Sequence, residues 1–228
     1  MNLVLDIEVV PRDIRRESRK VQEYVWEKVT KREEGLSLDD YLARPDIAER
    51  SELRERIERY MALRPEFGRI VCIGIGKDAS GWLEKKAFTA EREEDEARIL
   101  GEFWEAIRGR ERDWRFVTFN GLAFDVPYIL KRSLFLGVKP STLLSLRRFA
   151  LETHYDIMQV LSNWDRFEAV RLDVIADLLG LEKSPRGMDG SQVYQLWRQG
   201  RVKEIEAYCL GDVQVTYEIF LRAQELFR

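Results

Sequence analysis

The feature that most constrains the fold is a short apolar segment near the start of the chain, LVLDIEVV at residues 3–10, which contains two acids. Side chains alternate across a β-strand, so Asp6 and Glu8 share one face while Leu5 and Ile7 share the other. Neighbouring carboxylates repel, and burying them is costly unless a cation or hydrogen bonds offset the cost. The segment is therefore either a half-solvated strand with a polar outer face or half of a metal site.

Composition narrows the class of protein. The 228 residues, 45% of them hydrophobic, suit one large or two small domains with a full core. A net charge of -3 gives no global basic field, so any nucleic-acid contact requires a local patch. Cys72 and Cys209 lack the spacing of a zinc site or a disulfide framework. No apolar run approaches the roughly 18 residues of a membrane span, so we expect a soluble, cytoplasmic protein without a membrane partner.

The segment that follows the first strand, residues 11–62, is rich in charge, with 13 Lys/Arg and 13 Asp/Glu. Apolar residues such as Leu53 and Ile57 recur in it at helical spacing, which predicts surface helices packed by one face. We expect a helical insertion within a single domain of residues 1–228. The alternatives for its role are a lid, a docking surface for a protein partner and an inert cover.

The rest of the chain alternates strands with helices. Residues 68–76 and 82–90 predict a β-hairpin, and FVTF at 116–119 and the segment around His154 predict two short strands. Helical patterns occupy residues 93–109, 125–137, 171–180, 190–200 and 201–227. This order implies an α/β fold with a mixed sheet flanked by helices.

Further candidate site residues lie in the second half of the chain. Tyr208 and Asp212 are four residues apart and project from one face of the last helix, which also carries Cys209. An acid among apolar neighbours fits an amphipathic helix poorly and needs a partner. Asp125 begins the predicted helix 125–137, where an N-cap role explains it well.

Three segments together resemble a known set of motifs. Asp6-Ile7-Glu8, NGLAFD at 120–125 and YCLGD at 208–212 resemble, in order and spacing, the three exonuclease motifs of the DEDD superfamily of DnaQ-like 3′-5′ exonucleases. Tyr208 indicates the tyrosine branch, with similarity to stand-alone exonucleases related to the proofreading domain of family-B DNA polymerases. The resemblance implies a ribonuclease-H-like fold and covers nearly the whole chain outside 11–62.

The resemblance also implies a metal-dependent site. Its metal ligands are Asp6, Glu8, Asp125 and Asp212, and these acids with Tyr208 are its catalytic residues. Oxygen ligands without sulfur or imidazole suit two Mg²⁺ or Mn²⁺ ions, with Asp6 bridging ions about 3.5 to 4 Å apart. Tyr208, whose reference pKa is about 10, is expected to orient the attacking water rather than to act as a base.

Four residues are predicted to bind substrate: Ile7, Asn120, Phe124 and Lys183. Asn120 is expected to orient substrate and Phe124 to stack on the terminal base, although a turn-stabilising Asn and a core Phe are equally consistent. Lys183 lies near the position of a substrate-facing lysine in related enzymes, but Glu182 stands where they usually have a glycine.

A basic stretch follows Asp125. Residues 126–151 contain five basic side chains and no acid, which makes them a candidate phosphate track or, alternatively, a basic surface without a ligand. The five are Lys131, Arg132, Lys139, Arg147 and Arg148.

The expected function is that of a 3′-5′ exonuclease which hydrolyses phosphodiester bonds at the 3′ end of single-stranded DNA and releases nucleoside monophosphates. Two alternatives stay open. One is an exoribonuclease, because nothing in the motifs reads the 2′-hydroxyl. The other is a non-catalytic nucleic-acid or partner-binding module on the same fold, for which a tight cluster of like charges has no physical use.

Overall fold

The computed structural model describes residues 1–30, 36–44, 52–79, 82–108, 114–182 and 190–227. These residues form two compact units. One unit consists of Met1–Glu8 with Ile70–Arg228, and the other of Val9–Arg69.

Five strands form one mixed sheet. They are β1 (Asn2–Pro11), β2 (Gly68–Ala79), β3 (Trp82–Thr89), β4 (Arg115–Thr118) and β5 (His154–Asp156). Their order is β3-β2-β1-β4-β5, with β2 and β3 antiparallel and with β1, β4 and β5 parallel. The predicted hairpin is confirmed, since Cys72 pairs with Thr89 and Ala79 with Trp82.

Strand β1 is central in the sheet and is covered on both faces. Leu3 and Val4, which point to opposite faces, are both fully buried. The interpretation of LVLDIEVV as a half-solvated strand with a polar outer face is therefore wrong, because Glu8 on the acidic face is also buried.

Nine α-helices are described. Their bounds are α1 (Arg19–Thr30), α2 (Leu38–Ala43), α3 (Glu52–Ala62), α4 (Glu96–Ala106), α5 (Asp125–Phe135), α6 (Ile157–Leu161), α7 (Leu172–Leu178), α8 (Val193–Arg198) and α9 (Val202–Leu226). The predicted end of α4 at Gly109 lies outside the described residues. In the part of the chain that the structure describes, no helix combines the length and the apolar character of a membrane span.

The long helix α9 packs closely on the sheet. A Cβ atom at Gly74 of β2 would lie 2.7 Å from the Cys209 sulfur, and one at Gly76 would lie 2.8 Å from Val213. Glycine at these two positions therefore lets the backbone of β2 approach α9. The buried face of α9 joins the core around Val117.

The unit Val9–Arg69 has a core of its own. Its helices α1, α2 and α3 confirm the helical patterns predicted there, and they pack around buried apolar residues. These residues are Ile14, Val25, Tyr41, Leu53, Ile57 and Met61.

A buried ion pair connects α4 with α5. Arg132 donates to both carboxylate oxygens of Glu96, at 2.8 and 2.6 Å, and both side chains are 5% exposed. Glu96 also accepts the backbone N–H of Ile70 at 2.8 Å. Arg132 is therefore part of the scaffold, and its predicted place in a phosphate track is wrong.

The ion pair predicts a large effect of removing one partner. Arg132→Met should lower the free energy of unfolding by about 3 to 5 kcal/mol, because it leaves the buried Glu96 charge without its partner. Urea denaturation measures the change. Lys131→Met, at the exposed neighbouring position, is the control and should stay within about 0.5 kcal/mol of wild type. Equal stability of the two variants would contradict a structural role for Arg132.

Candidate active site

Two acids of the site come from β1. The carboxylates of Asp6 and Glu8 point to the same face of the strand, and they lie within 4.8 Å of each other and of the Cys209 sulfur. Asp6 is partly buried and Glu8 is 7% exposed. The alternation predicted from the sequence thus places two like charges together in the interior.

Helix α9 supplies the next part of the site. Tyr208 and Asp212, one turn apart, are both buried, and their side chains are hydrogen-bonded. Cys209 follows Tyr208 and turns toward β1, where its thiol lies 3.3 Å from Oδ2 of Asp6 and 3.6 Å from the Asp6 carbonyl oxygen. The last helix therefore contacts the first strand directly at Asp6.

Asp125 completes the set of acids. It is the first residue of α5 and Phe124 is the N-cap, so the predicted N-cap role of Asp125 is wrong. Its Oδ1 instead accepts the backbone N–H of Ile7 at 3.1 Å. The carboxylate of Asp125 is thereby fixed beside the strand that carries Asp6 and Glu8.

Crowding and burial perturb these acids. Burial raises the pKa of Asp6 well above its ordinary value, and the charges of Glu8, Asp212 and Asp125 raise it further. Burial likewise raises the pKa of Asp125 to about 7, although the N–H of Ile7 opposes the shift. The four carboxyls thus act on one another electrostatically, as a single cluster does.

The same cluster determines the state of Tyr208. Burial raises the pKa of its hydroxyl, and the negative charges of Asp212, Glu8 and Asp6 raise it further. The hydroxyl therefore stays protonated at neutral pH. This state is the one expected for a group that orients a water and does not act as a base.

A thiol that is not among the predicted site residues borders the cluster. Cys209 touches Asp6, so a sulfur atom lies beside the predicted oxygen ligands. Burial raises the pKa of the Cys209 thiol, and the charges of Asp6 and Glu8 raise it further, so the thiol stays protonated and donates to Asp6. The ligand atoms that the four acids of the cluster offer are hard carboxylate oxygens, and this donor set fits Mg²⁺ or Mn²⁺. The sequence feature that relates to this contact is Gly74, because a side chain there would collide with the Cys209 sulfur.

Asp156, at the end of β5, holds the turn that leads to Asp125. It is fully buried, and its two carboxylate oxygens accept the backbone N–H groups of Asn120 and Leu122, each at 2.9 Å. Asn120 has a φ of 67°, in the left-handed region. This positioning role leaves no local pattern in the sequence, because the partners of Asp156 lie 34 and 36 residues away.

His154 supports the same turn. Its Nδ1 lies 3.4 Å from the carbonyl of Ser145, which can only accept, so Nε2 accepts from the Thr118 hydroxyl at 2.8 Å. Thr118 in turn accepts the N–H of Gly121 at 3.2 Å. Burial lowers the pKa of His154 to about 4. His154 is thus a hydrogen-bonded residue of the edge strand β5.

The predicted substrate-binding residues have different surroundings. The Ile7 side chain is buried. Phe124 is half-buried, with its ring 5.4 Å from that of Tyr128. Asn120 is half-buried in the turn beside Asp156. Lys183 lies outside the described residues. Substrate binding by these four residues stays a prediction.

Comparison with known proteins identifies the family. Residues 58–227 match the family described as a predicted 3′-5′ exonuclease related to the exonuclease domain of PolB. The chain belongs to this family. Membership supports a 3′-5′ exonuclease kind of function and therefore a nucleic-acid substrate, and exonuclease domains of this kind use divalent metal ions. The resemblance stated from the three motifs is confirmed.

Similar curated proteins are archaeal polymerases. The DNA polymerase of Pyrococcus glycovorans is 24% identical over 142 residues, which are 54% of this chain and 18% of that protein. The DNA polymerase of Thermococcus aggregans is 27% identical over 145 residues, which are 55% of this chain and 8% of that protein. The chain spans less than a fifth of the length of either.

A solved structure shares the fold. The family B DNA polymerase from the hyperthermophilic archaeon Pyrobaculum calidifontis matches 98% of this chain and 24% of its own chain, with a TM-score of 0.61 and 18% identity. The predicted α/β class, a ribonuclease-H-like mixed sheet flanked by helices, is confirmed.

The raised pKa of Asp125 predicts a pH-dependent effect of its removal in metal-free protein. The carboxyl has a pKa of about 7 when folded and an ordinary value of 3.8, so its stabilising protonation is complete below about pH 4 and lost as pH rises through 7. Asp125→Asn has no proton to lose. With chelator present, its melting temperature should therefore rise relative to wild type between about pH 5 and about pH 8.

The control for this measurement is Asp177→Asn, which removes an exposed acid of α7. It should show no change relative to wild type across the same range. If Asp125→Asn lost stability relative to wild type as the pH rose, Asp125 would be a structural acid that the fold needs ionised.

Proposed function

We propose that the protein is a metal-dependent 3′-5′ exonuclease that acts on single-stranded DNA and releases nucleoside monophosphates. The observation that carries the proposal is the convergence of four carboxyls and one tyrosine hydroxyl, from β1, α5 and α9, in a buried cluster whose charges repel. A fold has no structural reason to assemble such a cluster, whereas phosphodiester hydrolysis requires one.

The residues that would hold the ions are Asp6, Glu8, Asp125 and Asp212. When bound, two Mg²⁺ or Mn²⁺ ions would supply Lewis acidity for activating a water and for stabilising the leaving 3′ oxygen. Asp6 lies among the other three acids, whose charges raise its pKa, and its carboxylate would be a ligand shared by the two ions.

Tyr208 positions the attacking water. Because its hydroxyl stays protonated and donates to Asp212, its oxygen retains lone pairs that accept a hydrogen bond from water. The buried ring fixes the direction of that hydrogen bond. Tyr208 thus contributes orientation and does not accept a proton from the water.

The substrate end is held by the turn between β4 and α5. Phe124 presents a half-buried ring for the terminal base, and Asn120 lies in the turn that Asp156 fixes. We also propose that Ile7, which lies between Asp6 and Glu8 in the sequence, and Lys183 contact the substrate. The unit Val9–Arg69 is proposed as an insertion of the exonuclease domain and as a surface for a protein partner.

One assay tests this function. The protein is incubated with 5′-labelled single strands of DNA and RNA, with Mg²⁺, Mn²⁺ or chelator. The expected result is a ladder that shortens by one nucleotide from the 3′ end of DNA and disappears with chelator. Shortening of RNA alone would identify an exoribonuclease, and no cleavage of either polymer would identify a binding module.

Tyr208 and Asp212 share one helix face, but substitutions of the two residues should affect metal binding and rate differently. Asp212→Asn removes a ligand charge, so it should raise the Mn²⁺ concentration at half-maximal rate and cut the rate by several orders of magnitude. Tyr208→Phe keeps every carboxylate, so half-saturation should be unchanged while the maximal rate falls about 10²- to 10⁴-fold. Titration of Mn²⁺ against rate measures both quantities. An unchanged maximal rate in Tyr208→Phe would show that Tyr208 only packs.

A further inference from the structure

Two aromatic residues outside the site, the exposed Phe149 and the half-buried Trp164, form a pair. The rings of Phe149 and Trp164 lie 4.4 Å apart between centroids at an angle of 48°. Both residues have left-handed backbones, with φ of 65° and 64°, a conformation that disfavours bulky side chains. Phe149 is nevertheless 66% exposed. The fold therefore holds a strained aromatic residue at the surface, where core packing does not explain it.

Basic residues directly precede Phe149, whereas the exposed acids Glu152 and Asp165 follow Phe149 and Trp164 in the sequence. Arg147 and Arg148, directly before Phe149, are both exposed, and residues 126–151 contain no acid. Arg132 is buried in the scaffold. Arg147, Arg148 and Lys139 are exposed and remain candidates for the phosphate track. An exposed ring beside arginines is the combination by which proteins bind single-stranded nucleic acid, with bases on the ring and phosphates on the charges.

Trp164 is connected to the active-site turn through α6. The backbone N–H of Trp164 donates to the carbonyl of Gln159 at 2.8 Å, and this bond fixes Trp164 just beyond the end of α6. Asp156 caps the start of α6 and also accepts the N–H groups of Asn120 and Leu122. One short helix thus separates Trp164 from the turn that leads to Asp125.

Phe149 is connected to the same turn through β5. The carbonyl of Ala150, the next residue, accepts the N–H of His154 at 3.0 Å. His154 binds Thr118, which accepts the N–H of Gly121. Hydrogen bonds therefore link the segments that carry Phe149 and Trp164 to the turn that leads to Asp125.

We propose that Phe149, Trp164, Arg147 and Arg148 form a binding platform for single-stranded nucleic acid upstream of the 3′-terminal nucleotide. This proposal rests on the proposed exonuclease function and adds a second contact region to its substrate. A base stacks on the exposed Phe149 ring, and the arginines contact the neighbouring phosphates. Strands long enough to reach the platform bind more tightly than a dinucleotide, which occupies the metal site alone.

The test is equilibrium binding of a fluorescein-labelled single strand of about 12 nucleotides, measured by anisotropy with chelator present. Phe149→Asn removes the ring and suits the left-handed backbone, so it should fold. It should weaken binding of the long strand about 5- to 150-fold and leave competition by a dinucleotide unchanged. Phe149→Tyr keeps the ring and should bind as wild type. Leu178→Ala, at an exposed apolar residue of α7, is the matched control and should have no effect.

The arginines give an independent measurement. Replacing both Arg147 and Arg148 by alanine should make the slope of log affinity against log salt shallower by about 1.4, since each phosphate contact on a single strand contributes about 0.7. An unchanged slope, or equal weakening of the long strand and the dinucleotide by Phe149→Asn, would overturn the platform. If the wild type cleaves DNA and every variant binds as the wild type does, the platform proposal is wrong and the exonuclease proposal is not affected. If the variants show the predicted losses of binding but the wild type cleaves no strand, the exonuclease proposal is wrong and the platform proposal is supported.

Discussion

The structure depends on one constraint, the burial of like charges where β1, α5 and α9 meet. Central placement of β1 buries Glu8 and partly buries Asp6, so water screens the repulsion between the two carboxylates less than it would at the surface. Asp125 and Asp212 add to it, as the raised pKa of Asp6 records. The metal-free protein keeps protons on part of this cluster, and a divalent cation would replace those protons and the repulsion together.

The contacts that hold these acids come from neutral donors. The N–H of Ile7 donates to Asp125, the thiol of Cys209 donates to Asp6, and the hydroxyl of Tyr208 donates to Asp212. Such dipoles fix the direction of a carboxylate without cancelling its charge. A lysine or arginine in the same places would have stabilised the fold and competed with a metal ion. The scaffold thus orients the acids and leaves their charge available.

Much of this arrangement was predictable from the sequence, since alternation on a strand, an i to i+4 spacing and three ordered motifs are local patterns. The rest depends on contacts across the fold. Nothing local distinguishes Arg132 from its exposed neighbour Lys131, because the Glu96 partner lies 36 residues away. Asp125 follows a turn as an N-cap would, and only the position of β1 gives its carboxylate the N–H of Ile7. The thiol of Cys209 reaches Asp6 across 203 residues.

The most direct test of the central claim is calorimetric titration of Mn²⁺ into the metal-free protein, near pH 6, in two buffers of different ionisation enthalpy. The account predicts two bound ions per chain, with release of protons from the cluster, because the pKa of Asp125 is raised to about 7 and that of Asp6 is raised well above its ordinary value. The observed heat should then differ between the buffers. Absence of binding, or binding with the same heat in both buffers, would contradict a metal site built on buried, protonated carboxyls.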